Sequence, residues 1–60
     1  MDRIDIVVAE DEHFTRKGIC GLLAEEPQLH VVGDTGNGAR AIELVRETNP
    51  RVFLLDLRMP

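Results

Sequence analysis

The sequence has little cysteine, few basic residues and no long apolar run. Its single cysteine, Cys20, cannot form a disulfide within the chain, which is typical of proteins from a reducing compartment. Seven Lys and Arg residues against eleven Asp and Glu residues give a formal net charge of −4. This balance argues against nucleic-acid binding by this segment, because such binding depends on basic side chains that neutralise phosphates. The acidic excess instead suits a cation site.

Signals for export and membrane insertion are also missing. The N-terminus lacks the basic start and apolar core of a signal peptide, and the longest apolar run is far too short to span a bilayer. There is no repeat, low-complexity tract or linker. A chain of 60 residues is long enough for at most one small domain. We therefore expect a cytoplasmic protein without a membrane partner.

What the sequence does contain is a regular alternation of apolar segments with two different periods. Short β-branched apolar stretches predict buried strands, and apolar residues three and four positions apart predict helices with one inward stripe. In chain order the predicted elements are a strand at 4–9, a helix at 12–25, a strand at 29–34, a helix at 39–48 and a strand at 51–56.

Helix ends and inward stripes follow from the same pattern. Asp11 is predicted as the N-cap of the first helix, Asn37 and Gly38 as the start of the second, and Pro50 as its stop signal. The predicted inward residues are Phe14, Ile19, Leu22 and Leu23 in the first helix, and Ile42 and Val45, widened by Ala41 and Leu44, in the second.

The order β-α-β-α-β predicts parallel strands with right-handed crossovers, because each connection is long enough to hold a helix. A continuous apolar third strand requires cover on both faces, which one helix per face supplies only in part. The outer edge of that strand would also have no partner. We therefore expect residues 1–60 to be the N-terminal half of a larger α/β domain, and we expect the isolated chain to self-associate.

Acidic residues follow or end two of the predicted strands. Glu10 and Asp11 come directly after the first strand, and Asp56 ends the third. If the strand order is 2-1-3, these ends are neighbours at the edge where open parallel sheets bind ligands. Three converging carboxylates repel one another unless a cation or protons neutralise them, and Mg²⁺ prefers such oxygen ligands. The alternative is that the acids before the helix are only caps and dipole partners, which fits Glu12 best.

Two segments resemble motifs of a known family. Val7-Val8-Ala9-Glu10-Asp11-Glu12 resembles the acidic first-strand end of response-regulator receiver domains, and Asp56-Leu57-Arg58-Met59-Pro60 resembles their phospho-acceptor motif. The residues between these motifs fall where the LuxR/FixJ-type subgroup, with its helix-turn-helix output, places similar residues. Those residues are Val31, Val32, Gly33, Asn37, Gly38, Ala41, Pro50 and Val52.

The resemblance covers essentially the whole chain and implies a flavodoxin-like (CheY-like) α/β fold with a doubly wound parallel sheet. It implies that Asp56 accepts a phosphoryl group from a sensor histidine kinase in a bacterial two-component system. Asp11 and Asp56 would ligate Mg²⁺ directly, Glu10 would act through a water, and the backbone carbonyl of Arg58 would add a ligand. Glu10 departs from the commonest family pattern, which has Asp there. The implied output is transcription, through a C-terminal DNA-binding domain outside residues 1–60.

The resemblance also implies a docking surface for the kinase on the first helix. Phe14, Thr15 and Gly18 would face the helical hairpin of the kinase. The other interpretation buries Phe14 in the core and leaves Thr15 and Gly18 merely exposed.

Two other functions remain open at this point. A phosphorylation-independent pseudo-receiver would keep the fold as a binding module, although the acid pair and Asp56 argue against it. A Mg²⁺-dependent phosphatase of the haloacid-dehalogenase or Toprim type would need Asp-x-Asp, whereas Arg58 occupies the second acidic position. His13 and His30 lack the further spaced ligands of a metal site, so we interpret both as surface residues.

Overall fold

The computed structural model describes residues 2–56 and contains three strands and two helices in the predicted order. They are β1 (Ile4–Glu10), α1 (His13–Ala24), β2 (Leu29–Thr35), α2 (Gly38–Thr48) and β3 (Val52–Asp56). Each bound lies within one residue of its predicted position. Neither helix in the described part of the chain is long and apolar enough to cross a membrane.

The three strands are parallel, as predicted, and lie in the order β2-β1-β3, which is the condition for the ends of β1 and β3 to be neighbours. The central strand β1 carries most of the core, since residues 6–9 are buried between its two neighbours and beneath the helices. Central placement explains the uninterrupted apolar run of β1, because a strand covered on both faces has no side that must be polar.

The two helices lie on opposite faces of the sheet. Asp34 of β2 forms an ion pair with Arg16 of α1, while the adjacent Gly33 lies beneath Leu44 of α2. Successive residues of a strand point to opposite faces, so α1 and α2 cover different faces. For strand order β2-β1-β3 this arrangement requires both crossovers to have the same hand.

The buried stripe of α2 differs from the predicted one. Ala41 and Leu44 are its buried residues, whereas Ile42, predicted at the centre of the stripe, is 55% exposed. The reason lies in β2, where Gly33 has no side chain and lets Leu44 approach the sheet closely. A Cβ atom at Gly33 would lie only 2.8 Å from Leu44 Cδ2. Close contact at this one position turns the helix toward Ala41 and Leu44.

The predicted stripe of α1 was wrong at two of its four positions. Ile19 and Leu23 are half-buried, but Leu22 is exposed and Phe14 is 80% exposed. The half-buried face consists of Arg16, Ile19, Cys20 and Leu23. With 3.6 residues per turn, Phe14 lies almost opposite that face, and Leu22 lies at its outer side.

The N-cap of α1 is Glu12, so the prediction of Asp11 at this position was wrong. Glu12 has extended backbone angles, and its Oε1 accepts a hydrogen bond of 2.9 Å from the backbone N–H of Thr15. Its carbonyl accepts from the N–H of Arg16, which begins the helical ladder. In α2 the predicted cap is confirmed, because Asn37 Oδ1 accepts from the N–H of Arg40.

Candidate functional site

The ends of β1 and β3 bring Glu10 and Asp56 next to each other. The two residues are partners in the parallel β1–β3 ladder. They lie on the face that α1 covers, because Val8, two residues before Glu10, is the partner of Asp34, which reaches Arg16 of α1. Asp56 is exposed, whereas Glu10 is 1% exposed. The structure therefore places a buried carboxyl group beside an accessible one at the carboxyl edge of the sheet.

The buried carboxyl group of Glu10 has an unusual electrostatic environment. Its Oε2 accepts a hydrogen bond of 2.9 Å from the backbone N–H of Glu12, and this bond, the largest single influence, lowers the pKa of Glu10. Burial and the neighbouring carboxyl groups of Asp11 and Asp56 outweigh it and raise the pKa above its ordinary value of 4.5. Such crowding favours uptake of a proton or of a cation.

The donor set suits Mg²⁺, although it does not form a closed cage of protein ligands. Within residues 2–56, no group of three or more His, Cys, Asp or Glu side chains has the arrangement to hold a metal ion. Mg²⁺ commonly takes only one or two carboxylates and fills its remaining positions with water and substrate phosphate oxygens. The paired carboxyl groups of Glu10 and Asp56 fit that number of carboxylate ligands. The predicted carbonyl ligand of Arg58 lies outside the described residues.

Arg16 is a contact residue that the sequence analysis missed. Its Nη1 donates a 2.8 Å hydrogen bond to the backbone carbonyl of Glu10, and its Nε lies 3.2 Å from Oδ1 of Asp34. The signal that could have identified it is its position on the inward face of α1, three residues before Ile19 and seven before Leu23. A basic residue on that face, one turn after an acidic strand end, indicates a contact with the strand ends.

The predicted docking residues of α1 are all exposed. Phe14 is 80% exposed, and its ring lies against that of His13 in a T-shaped arrangement with 5.5 Å between centroids. The interpretation of Phe14 as a core residue was therefore wrong. Thr15 donates to Glu12 Oε1 through both its N–H and its Oγ1. Gly18 has open space where a Cβ would lie.

Cys20 and His30 take no part in the acidic site. Cys20 is half-buried, and desolvation, the main cause, raises the pKa of its thiol above the ordinary value. A raised pKa keeps the thiol protonated and unreactive at neutral pH. His30 is an exposed residue of the edge strand β2.

Comparison with known proteins gives the class of this fold. No family model matches the chain. The chain is 42% identical over 59 residues to the transcriptional regulatory protein DegU of Brevibacillus brevis, which corresponds to 98% of this chain and 25% of DegU. It is also 38% identical over 60 residues to protein-glutamate methylesterase/protein-glutamine glutaminase 1 of Syntrophomonas wolfei, of which it covers 17%.

Among solved structures, the chain is similar to the signal receiver domain of the response regulator NarL from Mycobacterium tuberculosis. The TM-score is 0.91 and the sequence identity 37%, over all of this chain and 48% of that one. Parallel strands in the order β2-β1-β3 are those of a flavodoxin-like doubly wound α/β fold, and the acids at the ends of β1 and β3 lie at its strand-order reversal. Over its whole length the chain is similar to the CheY-like receiver domains of response regulators, which confirms the predicted resemblance. It spans about a quarter of the length of DegU and about half of the NarL receiver chain.

Proposed function

We propose that residues 1–60 are the N-terminal half of a two-component receiver domain in which Asp56 accepts a phosphoryl group. The observation that carries this proposal is the pairing of Asp56 with Glu10 across the β1–β3 ladder at the carboxyl edge of the sheet. A buried carboxyl with a raised pKa beside an exposed one combines a cation-seeking cluster with an accessible nucleophile.

The chemistry that follows is direct transfer from a phosphohistidine. A carboxylate oxygen of Asp56 attacks phosphorus in line with the P–N bond, the new P–O bond forms, and the imidazole nitrogen leaves with the bonding electron pair. Bound Mg²⁺ would neutralise charge on the transferring oxygens. Asp11 and Asp56 would hold the ion directly, Glu10 would act through a water, and the backbone carbonyl of Arg58 would add a ligand. The domain is thus a phospho-acceptor and not a turnover enzyme.

The partners follow from this role. A sensor histidine kinase donates the phosphoryl group and docks on the exposed first turns of α1, at Phe14, Thr15 and Gly18. The added charge at Asp56 biases a two-state surface elsewhere in the receiver. The output is transcription, through a C-terminal DNA-binding domain of the LuxR/FixJ type, in a cytoplasmic bacterial protein. Exchange of Thr15 without any change in kinase preference would contradict the docking surface.

The first test is labelling of the intact protein with acetyl phosphate. We expect Asp56→Asn to reduce Mg²⁺-dependent labelling to background, because the amide cannot act as the nucleophile. The matched control is Asp5→Asn, at the opposite end of β1, which should label like the wild type. Undiminished labelling of Asp56→Asn would remove Asp56 as the acceptor. Absence of any Mg²⁺-dependent change in the wild-type protein would favour the pseudo-receiver alternative.

A further inference from the structure

One guanidinium group links α1 to the ends of two strands. Arg16 is only 19% exposed, and its three nitrogens each contact a different group. Nη1 donates to the Glu10 carbonyl at 2.8 Å, Nε lies 3.2 Å from Asp34 Oδ1, and Nη2 lies 3.3 Å from His13 Nδ1. The planar fork of arginine can make several such bonds at once, whereas a lysine ammonium acts as a single point.

The carbonyl that Arg16 holds belongs to the peptide group between Glu10 and Asp11. Because that peptide group is planar, a bond to its oxygen restricts the direction in which the chain enters Asp11. The side chain of Glu10 accepts a second hydrogen bond, of 2.9 Å, from the backbone N–H of Glu12. The acidic segment 10–12 is therefore held by its own side chain and by Arg16.

The space around the guanidinium depends on a glycine in the connection after β2. A Cβ atom at Gly36 would lie 2.7 Å from Arg16 Nη1, 3.4 Å from the Glu10 carbonyl oxygen and 3.6 Å from Asp11 Cα. The connection between β2 and α2 thus packs directly against the acidic segment. An added methyl group would push the guanidinium away from the carbonyl that it holds.

We propose that Arg16 is a positioning residue for the Mg²⁺ site, acting through the Glu10 carbonyl to set the place of the acidic segment. The inference rests on the proposed function, because it assumes that Asp11 and Asp56 bind Mg²⁺. Groups behind the metal ligands typically change metal affinity by about 10- to 100-fold when they are lost. Arg16 belongs to that second layer of contacts, and it touches no reacting atom.

A purely electrostatic role of Arg16 would change the Mg²⁺ affinity in the opposite direction to a positioning role. A cationic guanidinium near a divalent-cation site repels the ion, so removal of its charge alone should tighten Mg²⁺ binding. Loss of positioning should instead weaken binding. Arg16→Gln removes both the charge and the fork, and Arg16→Lys keeps the charge but removes the fork.

The experiment is a Mg²⁺ titration of the intact protein and its variants, with folding of each variant checked by circular dichroism. We expect the Kd for Mg²⁺ to rise by about tenfold in Arg16→Lys and in Arg16→Gln. The matched control is Arg3→Gln, which removes an Arg–Asp ion pair of 2.8 Å at the other end of β1 and should leave the Kd unchanged. Unchanged or tighter binding by the Arg16 variants would overturn the inference while leaving the proposed function intact.

A measurement without metal gives an independent readout of position. We expect faster hydrogen exchange of the Glu12 amide in Arg16→Lys, since that amide donates to the segment that Arg16 holds. Gly36→Ala, which displaces the guanidinium without changing any charge, should raise both the exchange rate and the Kd for Mg²⁺. Wild-type exchange in both variants would overturn the inference. Failure of the wild-type protein to bind Mg²⁺ would overturn the proposed function and this inference together.

Discussion

Glu10 and Glu12 belong to the same short segment, but their pKa values are shifted in opposite directions. Glu10 is buried. The hydrogen bond from the Glu12 N–H lowers its pKa, but burial and the carboxyl groups of Asp11 and Asp56 raise it above the ordinary value. Glu12 is exposed, and the backbone N–H of Thr15 is the main cause that lowers its pKa. Ionised Glu12 therefore stabilises the folded state as a helix cap. Ionised Glu10 destabilises the folded state unless a cation binds beside it.

The cap gives a pH dependence with a definite sign. Because the pKa of Glu12 is lower in the folded state than its ordinary value of 4.5, its contribution to stability is fully present above that value and is lost as pH falls through the lowered pKa. We expect the urea midpoint of the intact protein to fall less in Glu12→Gln than in the wild type between about pH 6 and about pH 3. Glu26→Gln, beyond the other end of α1, is the control and should follow the wild type. Identical pH profiles for Glu12→Gln and the wild type would contradict the charged cap.

At the scale of elements, the contact between α2 and β2 depends on one missing side chain. Gly33 lies at an interior position of β2, and Leu44 of α2 fills the space above it. No glycine in the described part of the chain has a positive φ angle, so the demand for glycine here is steric and not conformational. Shape at this contact, and not helix propensity, sets the rotation of α2.

Gly→Ala changes at a crowded position and at an open position should have opposite effects on stability. Gly33→Ala should destabilise the intact protein by about 1–3 kcal/mol, because the new methyl group overpacks against Leu44. Gly21→Ala, inside α1 with open space around it, should stabilise the protein by about 0.5–1 kcal/mol through its better helix propensity. Urea unfolding of both variants measures the difference. A stability for Gly33→Ala equal to or above that of the wild type would show that α2 adjusts freely.

At the scale of the whole molecule, the sheet has an exposed apolar edge. All residues of β3 are exposed, and β3 pairs with β1 along one edge while its other edge has no partner strand among residues 2–56. Its apolar members are Val52, Phe53, Leu54 and Leu55. An unpaired edge of this kind is a template for pairing with another chain.

The isolated 60-residue chain should therefore self-associate. We expect light scattering to give a mass above the 6.7 kDa of one chain, and to rise with concentration. Leu55→Lys, at the most exposed apolar position of β3 with 60% exposure, should reduce association, because an edge lysine opposes strand pairing. Lys17, already on the surface of α1, offers a matched control as Lys17→Leu, which should not reduce association. A stable, monodisperse monomer of the wild-type chain would contradict this expectation.

The sequence by itself determined the elements and their order, and it made the meeting of two acids depend on a single strand order. The bounds of β1 follow from its short apolar run, and those of α2 follow from its apolar periodicity and its Asn37 cap. Strand order placed the end of β1 beside the end of β3, so the pairing of Glu10 with Asp56 could be expected from topology alone. These features depend on residues close in sequence or on rules of connection.

Only the tertiary structure decided which faces the helices present and which side chains contact the strand ends. Ile42 and Phe14 were placed inside by periodicity, yet both are exposed, because the close approach of Leu44 to Gly33 and the inward position of Arg16 set the helix rotations. Such choices depend on the distances between groups far apart in the chain, and local pattern carries no information about those distances.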